Sequence, residues 1–328
     1  MCIRDSQGDG TFVDALSDTT LHSPWFATGS DSGDLNNDGL VDLMVGDVAP
    51  ATHVRQKLNV SIRNNHSWFL EYGSPRQYSR NAVYINSGSD SFMEVGYMAG
   101  LSNTNWSWAT RLADLNNDGL LDVFVTNGHA RDNMNLDVYT ELKRLKGKDQ
   151  LTAEKASELV PTLPDRNLAF MNTGNFQFEN VSQKWGLDLE GISHGAAFSD
   201  IDHDGDLDMV VNNFYQKATV YRNESNDGNR LTLALRSEHG NSFGYGSKIE
   251  LWSGNNRQVK HLTPVRGYVS SDEPIVHFGL GNASTVDRIR ITWLGGNVQE
   301  FEDLEPGCLL YTSPSPRDLS TSRMPSSA

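Results

Sequence analysis

A short acidic loop occurs three times in this chain and constrains its fold more than any other feature. Each copy spans nine residues, with Asp or Asn at positions 1, 3, 5 and 9 and Gly at position 6. The copies are Asp34–Asp42, Asp114–Asp122 and Asp200–Asp208. Oxygen-bearing side chains at this spacing, with a glycine that permits a sharp bend, are what a hard cation such as Ca2+ requires of a short loop. The sequence therefore predicts about three calcium sites.

The predicted ligands are the four oxygen-bearing side chains of each loop. They are Asp34, Asn36, Asp38, Asp42, Asp114, Asn116, Asp118, Asp122, Asp200, Asp202, Asp204 and Asp208. The backbone carbonyl at position 7 would add a further oxygen to each site. Because the third loop has four carboxylates where the others have three and an Asn, its charge predicts the tightest binding.

An EF-hand and a metal-free turn both fit the loop pattern less well. An EF-hand needs a Glu at position 12, where this chain has Val45, Val125 and Val211. Metal-free turns rich in Asp, Asn and Gly are common, and one loop alone would leave that alternative open. Three copies in register favour metal binding, with a structural role in which the cation offsets carboxylate repulsion and holds neighbouring strands together.

Landmarks at fixed distances from each loop reveal an internal repeat. A Phe stands 22 residues before the first Asp of every loop, and Asn and Gly-Leu stand 28 and 14 residues before two of them. These residues are Phe12, Phe92 and Phe178; Asn86 and Asn172; and Gly100-Leu101 and Gly186-Leu187. Each repeat is predicted to contain two short strands, a Gly-Leu connector, a third strand, the acidic loop and a fourth strand. Four antiparallel strands per repeat predict an all-β fold of β-propeller blades.

Two of the repeats are longer than the minimal period of 51 residues and contain insertions at about 48–80 and 129–165. Both insertions follow an acidic loop, so they should project from one face of the propeller. The second insertion is predicted to contain helices, with Thr152 capping one that ends before Pro161. The first insertion combines basic and aromatic residues: Arg55, Lys57, Arg63, Trp68, Phe69, Tyr72, Arg76, Tyr78 and Arg80.

The pattern changes near residue 229, after which apolar and polar residues alternate without an acidic loop. We expect blades over 8–228 and a small antiparallel β module over 229–306. Residues 1–7 and 307–328 differ from the rest in composition and are expected to be non-native or disordered tails. Three blades are too few to close a ring, so further blades are expected upstream.

Charge and hydropathy narrow the possible functions. A net charge of -15 argues against a nucleic-acid partner, because binding phosphates requires a basic surface. Cys2 and Cys308 lie outside the repeats and predict no disulfide framework. No apolar run is long enough to span a membrane, and residues 1–20 do not have the pattern of a signal peptide.

Three histidines suggest catalysis at first sight: His129, His194 and His203. No nucleophile motif, zinc spacing or phosphate-binding loop accompanies them, and His203 occupies a loop position that does not ligate. Polar packing is the preferred interpretation. Trp25, Trp106 and Trp108 are likewise expected to be blade core rather than platforms for sugar stacking.

The acidic loops resemble those of FG-GAP/VCBS repeats, the blades of integrin-α-like propellers. The last module resembles the ASPIC/UnbV domain through Gly244–Leu251, Arg266–Tyr268, His277–Gly281, Val286-Asp287, Ile289–Trp293 and Gly296, although Leu294 replaces the usual Pro. The combination is similar to the bacterial cartilage-acidic-protein-like family. This resemblance implies secreted or cell-surface proteins that bind calcium and take part in adhesion or recognition.

The expected function is therefore a non-catalytic, calcium-binding extracellular scaffold that recognises a glycan or a protein. The basic and aromatic first insertion is its candidate ligand surface, although a solvated loop is the simpler interpretation of that charge. A rival hypothesis makes these repeats the accessory or propeller part of a secreted carbohydrate-active or other hydrolytic enzyme. An acid pair in a cleft outside the calcium loops would favour the rival.

Overall fold

The computed structural model describes residues 4–59, 72–225, 228–237, 240–307 and 309–313. Strands account for 42% of it and helices for 10%, which confirms the predicted all-β class. Among these residues five sheets have three or more strands, and the structure has a five-blade propeller arrangement.

Over residues 4–59 and 72–166, which the structure describes, the chain contains twelve strands and two short helices. They are β1 (Arg4–Ser6), β2 (Phe12–Asp14), α1 (Leu16–Thr19), β3 (His22–Pro24), β4 (Ser30–Gly33), β5 (Asp42–Val45), β6 (Val48–Ala49), α2 (His53–Leu58), β7 (Arg76–Tyr78), β8 (Ala82–Asn86), β9 (Phe92–Glu94), β10 (Asn105–Ala113), β11 (Asp122–Asn127) and, after the second insertion, β12 (Asp165–Arg166).

The described part of the second insertion and of the chain after it contains two longer helices and thirteen strands. They are α3 (Leu136–Lys146), α4 (Ala153–Leu159), β13 (Leu168–Asn172), β14 (Phe178–Asn180), β15 (Glu190–Gly191), β16 (Ser193–Ser199), β17 (Asp208–Asn213), β18 (Thr219–Tyr221), β19 (Asn229–Leu235), β20 (Lys248–Ser253), β21 (Asn256–His261), β22 (Ile275–Gly281), β23 (Val286–Thr292), β24 (Val298–Leu304) and β25 (Leu309–Thr312).

Three sheets are built on the acidic loops. Blade 1 has the strand order β4-β5-β8-β9, blade 2 has β10-β11-β13-β14 with β6 added at the start of β10, and blade 3 has β16-β17-β18. In each blade the acidic loop connects the first two strands, which pair antiparallel.

The blades are offset by two strands from the repeat expected from the sequence. That repeat placed β8 and β9 in one blade with β10 and β11. Instead β8 pairs with β5, the strand after the preceding acidic loop, with Met44 opposite Val83. The expected grouping was wrong because the Gly-Leu connector carries the chain from one blade to the next, so the hairpin before it closes the earlier blade.

Apolar side chains between neighbouring blades form the propeller core. The core between blades 1 and 2 is built from β5, β8, β10 and β11 together with the connector residues Val95, Ala99 and Leu101. The core between blades 2 and 3 repeats this arrangement with Val181 and Leu187. Both Gly-Leu landmarks are thus core connectors between blades.

The two insertions meet beside β6 and the start of β10. Arg55 in α2 forms an ion pair with Asp165, and Asn59 forms a β-bridge with Asn135. The predicted helices of the second insertion are confirmed as α3 and α4, and Thr152 Oγ1 accepts a hydrogen bond from Lys155 N at the start of α4. Arg63, Trp68 and Phe69 lie outside the described residues.

The C-terminal region forms two sheets with the orders β22-β19-β25 and β21-β20-β23-β24. Apolar residues of both sheets share one core, including Leu233, Ile249, Phe278 and Ile291. With the three sheets built on the acidic loops, these two sheets make up the five-blade arrangement. The boundary at residue 229 stays a prediction.

The expected tails are partly structured. Arg4–Ser6 pairs with Phe12–Asp14 in a hairpin, and β25 pairs parallel with β19. Residues 1–3, 308 and 314–328 lie outside the described residues.

A buried arginine joins the innermost strands to the C-terminal region. Arg111 in β10 is fully buried; it pairs with Asp31 of β4 and Asp272 and donates to the carbonyl of Ala196 in β16. Arg266 pairs with the same Asp31. The segment containing residues 266–272 therefore lies against the inner strands of both blade 1 and blade 3.

Candidate functional site

The three acidic loops have the same backbone conformation. Position 4 is left-handed in each, with φ of 56° at Asn37, 61° at Asn117 and 63° at His203. Position 6 has φ of 90°, 90° and 92°, values that favour Gly. The glycine predicted for a sharp bend thus performs that role in every copy.

The first Asp of each loop organises the bend. One carboxylate oxygen of Asp34, Asp114 and Asp200 accepts a hydrogen bond from the Gly N–H, at 2.8, 2.9 and 3.0 Å. The other oxygen, Oδ1, is buried without a hydrogen-bond partner in Asp114 and in Asp200. A buried carboxylate oxygen without a donor is costly, so these two atoms fit a site completed by a cation.

The last Asp of each loop ties the loop to the third strand of its blade. In Asp42, Asp122 and Asp208, Oδ2 accepts from the N–H at position 2 of the loop. Oδ1 accepts from a later backbone N–H, at 2.8 to 2.9 Å; the donors are Asn86, Asn172 and Asn223. The Asn landmark found in the sequence marks this contact, which the spacing alone did not reveal.

Positions 3 and 5 differ between the loops. In the first two, the Asn side-chain N–H donates to the Asp at position 5, at 2.9 Å from Asn36 to Asp38 and from Asn116 to Asp118. In the third, Asp202 instead pairs with Arg222 at 2.5 Å.

Carboxylates approach one another most closely in the third loop. Asp200, Asp202 and Asp208 each offer one oxygen, and these three atoms lie within 4.8 Å of one another. Asp204, the fourth predicted ligand there, is not part of that group, and its Oδ1 accepts from Asp206 N. Three carboxylates in this geometry could hold a divalent cation.

Burial makes the carboxylates of the second loop costly to ionise. It raises the pKa of Asp114 to about 6 and raises the pKa of Asp122 well above its usual range, with neighbouring loop carboxylates adding to the shift. Burial also raises the pKa of Asp42 to about 6 and raises those of Asp34 and Asp200. A cation in the loops would favour the ionised forms.

Side chains at position 4 connect successive loops. Asn37 Nδ2 donates to the carbonyl of Gly119 in the second loop at 2.9 Å. Asn117 Nδ2 donates to Asp206 in the third loop, also at 2.9 Å, and Arg230 pairs with that same carboxylate. The loops therefore lie side by side at one end of the blades. Sequence reasoning missed Asp206 as a contact, because its partners lie in other loops and strands.

The opposite end carries an aromatic row, defined as Trp106, His129, Trp108, His194 and Phe214. Successive ring centroids lie 4.0, 5.6, 4.8 and 5.6 Å apart. Trp106 is buried, as expected, but Trp108 is only half-buried. Burial lowers the pKa of His194, and its Nε2 is buried without a partner. This end combines exposed aromatic surface with an imidazole that is neutral at neutral pH.

Several cations of the first insertion are engaged within the chain. Besides the Arg55–Asp165 pair, Arg80 contacts Glu94 at 3.3 Å and lies over the rings of Tyr78 and Tyr97. Arg76 is exposed. Of the three arginines that the sequence favoured for ligand binding, Arg55, Arg63 and Arg76, the described residues leave Arg76 as the one most accessible to a ligand.

Comparison with known proteins agrees with these features. The FG-GAP-like repeat model matches residues 70–125, and the ASPIC and UnbV model matches residues 237–314. Cartilage acidic protein 1 of Mus musculus is 25% identical over 301 residues, which cover 89% of this chain. The Homo sapiens protein of the same name is 25% identical over 252 residues, or 66% of this chain.

This chain spans 38% of the length of each of those relatives. Neither family description nor the relatives' name denotes an enzyme. Among the described residues, no helix has the length and apolar character needed to cross a membrane. One stretch of the chain thus matches the FG-GAP-like repeat and another the ASPIC and UnbV domain, the structure has a five-blade propeller arrangement, and the chain as a whole is similar to cartilage acidic protein 1.

Proposed function

We propose that this chain is a non-catalytic, calcium-binding extracellular scaffold that recognises a glycan or a protein. The observation that carries the calcium part is the buried, unpartnered carboxylate oxygen at the first position of two equivalent loops. The relatedness to cartilage acidic protein 1 supports an extracellular setting, secreted or at the cell surface.

The proposed ligands are the four oxygen-bearing side chains of each loop, together with the carbonyls of Leu40, Leu120 and Asp206. The position-9 carboxylates already accept two backbone hydrogen bonds each, but every carboxylate oxygen has a second lone pair for a metal. A cation there would connect the loop to the first and second strands of its blade. The role of the metal is structural, because it would hold the strand ends and offset the repulsion between carboxylates.

The calcium proposal is tested by titration and thermal unfolding. Calorimetric titration of the chelator-treated protein should show about three sites, and each should add about 2.7 kcal/mol at a hundredfold excess over its dissociation constant. Chelation should then lower Tm by several degrees. Identical melting curves with Ca2+ and with chelator would contradict the proposal.

The recognition surface is proposed at the insertion end, where the aromatic row lies. Half-exposed rings can stack on sugar faces or on aromatic side chains, and the exposed Arg76 can bind an anionic group. Phe214 and Tyr215 extend this surface, with exposed fractions of 41% and 74%.

A glycan array and a panel of extracellular matrix proteins test recognition. Arg76→Glu should abolish retention of anionic ligands, while Lys184→Glu, which changes an exposed cation outside the insertions, should leave it intact. Arg55→Glu is the poorer variant, because it also breaks the ion pair with Asp165. Equal retention by wild-type protein and Arg76→Glu would exclude Arg76 from the surface.

A further inference from the structure

The C-terminal region packs against the bend of every acidic loop. A Cβ added at position 6 would lie 2.5, 3.1 and 2.5 Å from a side-chain nitrogen of that region in the first, second and third loops. The glycines and their neighbours are Gly39 and Arg257, Gly119 and Gln258, and Gly205 and Arg230. Glycine therefore permits this close approach as well as the left-handed bend.

Two of these neighbours are arginines that already have a carboxylate partner. Arg257 in β21 donates to Glu250 at 2.6 Å, within the C-terminal region itself. Arg230 in β19 pairs with Asp206 at 3.0 Å, and the Asp206 side chain is not among the proposed ligands. The charges of both arginines are thus balanced by carboxylates other than the proposed ligands of the first and third loops.

The second loop faces a lysine instead. Lys260 in β21 forms no ion pair among the described residues; its Nζ donates to the carbonyl of His277 at 2.5 Å and lies 5.0 Å from the ring centroid of Phe278. Gly279 follows in the same strand and packs against Asp114, with no room for a Cβ beside Oδ2. The ammonium and the carboxylate therefore lie against the same stretch of β22.

Lys260 and Asp114 also line one cavity, of about 120 Å3, and they interact through space. Burial raises the pKa of Asp114 to about 6, and the charge of Lys260 opposes that rise. Burial lowers the pKa of Lys260 to about 8, and the charge of Asp114 opposes that fall. Each group thus favours the ionised form of the other, and both are charged at neutral pH.

A calcium ion on Asp114 would share this carboxylate with the ammonium. The available oxygen is Oδ1, which has no hydrogen-bond partner, and Asp114 is only 1% exposed. Positive charges repel more strongly in a protein interior than in water, because the effective dielectric constant is lower. Lys260 should therefore oppose calcium binding while it balances the charge of the metal-free loop.

We propose that Lys260 is a built-in counter-ion of the second acidic loop, which stabilises the metal-free loop and lowers its affinity for calcium. This inference rests on the proposed calcium binding. The second loop is also joined to β22 by a backbone hydrogen bond, from Gly281 N to the carbonyl of Asn117 at 2.7 Å. The C-terminal region thus remains docked on this loop when calcium is withdrawn, and calcium fills the site only at a higher concentration than it would without Lys260.

Calorimetric titration of the chelator-treated full chain with Ca2+, at about pH 7 where both groups are ionised, tests the proposal. Lys260→Met removes the charge and keeps an unbranched side chain, so one site should bind calcium at least about tenfold more tightly. Lys260→Gln, which keeps a side-chain donor without the charge, should tighten the same site. Adding Asp114→Asn to Lys260→Met should abolish the tightened site, which assigns it to the second loop.

Lys248→Met is the matched control. It removes the same charge from the neighbouring strand β20, where Lys248 pairs with Glu250 at 3.2 Å, and it should leave every calcium affinity unchanged. An equal rise in affinity in the control would overturn the proposal, because net charge rather than the position of Lys260 would then set the affinity.

Thermal unfolding with chelator separates a counter-ion from a packing role. Lys260→Met should lower Tm, because Asp114 loses its compensating charge, and the double variant with Asp114→Asn should recover most of that loss. A lower Tm without a tighter site would assign Lys260 a packing role and overturn the inference, while calcium binding itself would stand. No calcium binding by either the wild type or Lys260→Met would overturn the proposed function as well.

Discussion

Asp114 and Asp47 are two buried carboxylates at opposite ends of the blades, and they differ in how they are satisfied. Burial raises the pKa of both to about 6. At the insertion end, Asp47 accepts from the N–H groups of Trp25, Phe26 and Val48, at 2.7, 2.9 and 2.6 Å, so both oxygens are used. In the second acidic loop, Asp114 Oδ1 has no partner. The difference distinguishes a carboxylate with both oxygens satisfied by backbone donors from one with a single oxygen left over for the proposed cation.

The largest expected effect comes from removing the satisfied carboxylate. Asp47→Ala leaves three backbone N–H groups without their acceptor and should lower the free energy of unfolding by about 3 kcal/mol. The loss should be the same with Ca2+ and with chelator, as measured by urea unfolding. Asp90→Ala, at an exposed turn, is the control. A loss that depended on calcium would remove the distinction between the two ends.

Asp114→Asn should behave in the opposite way. With Ca2+ at a hundredfold excess over its dissociation constant, the variant should lose up to about 2.7 kcal/mol of stability, the contribution of one site. With chelator the loss should be smaller, because the buried carboxylate charge has been removed and only its attraction to the Lys260 ammonium is lost. Asp200→Asn should show the same calcium dependence. A similar loss under both conditions would assign Asp114 the same structural role as Asp47.

The pH dependence of stability should also reflect the raised pKa of Asp47. Because its folded pKa is raised, the folded state binds this proton more tightly than the unfolded chain does. Stability from this group is therefore fully present below about pH 4 and is lost as pH rises through about 6, by about 3 kcal/mol in all. The difference in unfolding free energy between wild type and Asp47→Asn, measured with chelator from pH 4 to 7.5, should show this slope. A difference in unfolding free energy that did not change with pH would contradict this prediction.

The smallest expected change in stability comes from the left-handed residue at position 4 of the third acidic loop. His203 has a φ of 63° where the other loops have Asn, a residue that adopts this conformation more readily. His203→Asn should raise the free energy of unfolding by about 0.5 kcal/mol with no change in calcium stoichiometry. A destabilised variant would show that the His203 side chain makes a contact of its own.

Local features were predictable from the sequence, and long-range ones were not. The acidic loops, the glycine bends and the helix capped by Thr152 depend on neighbouring residues, and the structure contains all of them. The calcium ligands themselves stay a prediction. The offset of the blades was missed because the pairing of β8 with β5 is a tertiary contact. Arg111 was missed for the same reason, since Asp31 and Asp272 lie 80 and 161 residues away in the chain.

The sequence pattern also could not predict that Trp108 and Trp185 are only half-buried, because it identifies apolar positions but not the residues that cover them. Trp106 and Trp108 lie two residues apart in one strand, and the sequence pattern assigns both to the core. The structure covers Trp106 and leaves Trp108 accessible.

The burial of Arg111 has a consequence for how the molecule unfolds. Repeat proteins often lose their units one at a time from an end, because each unit contacts only its neighbours. Here, detaching blade 1 removes Asp31, and detaching the C-terminal segment removes Asp272. Either event leaves the buried Arg111 without one of its two carboxylate partners. Such a charge costs several kcal/mol. The blades and the C-terminal segment should therefore melt together in one cooperative transition rather than fray in sequence.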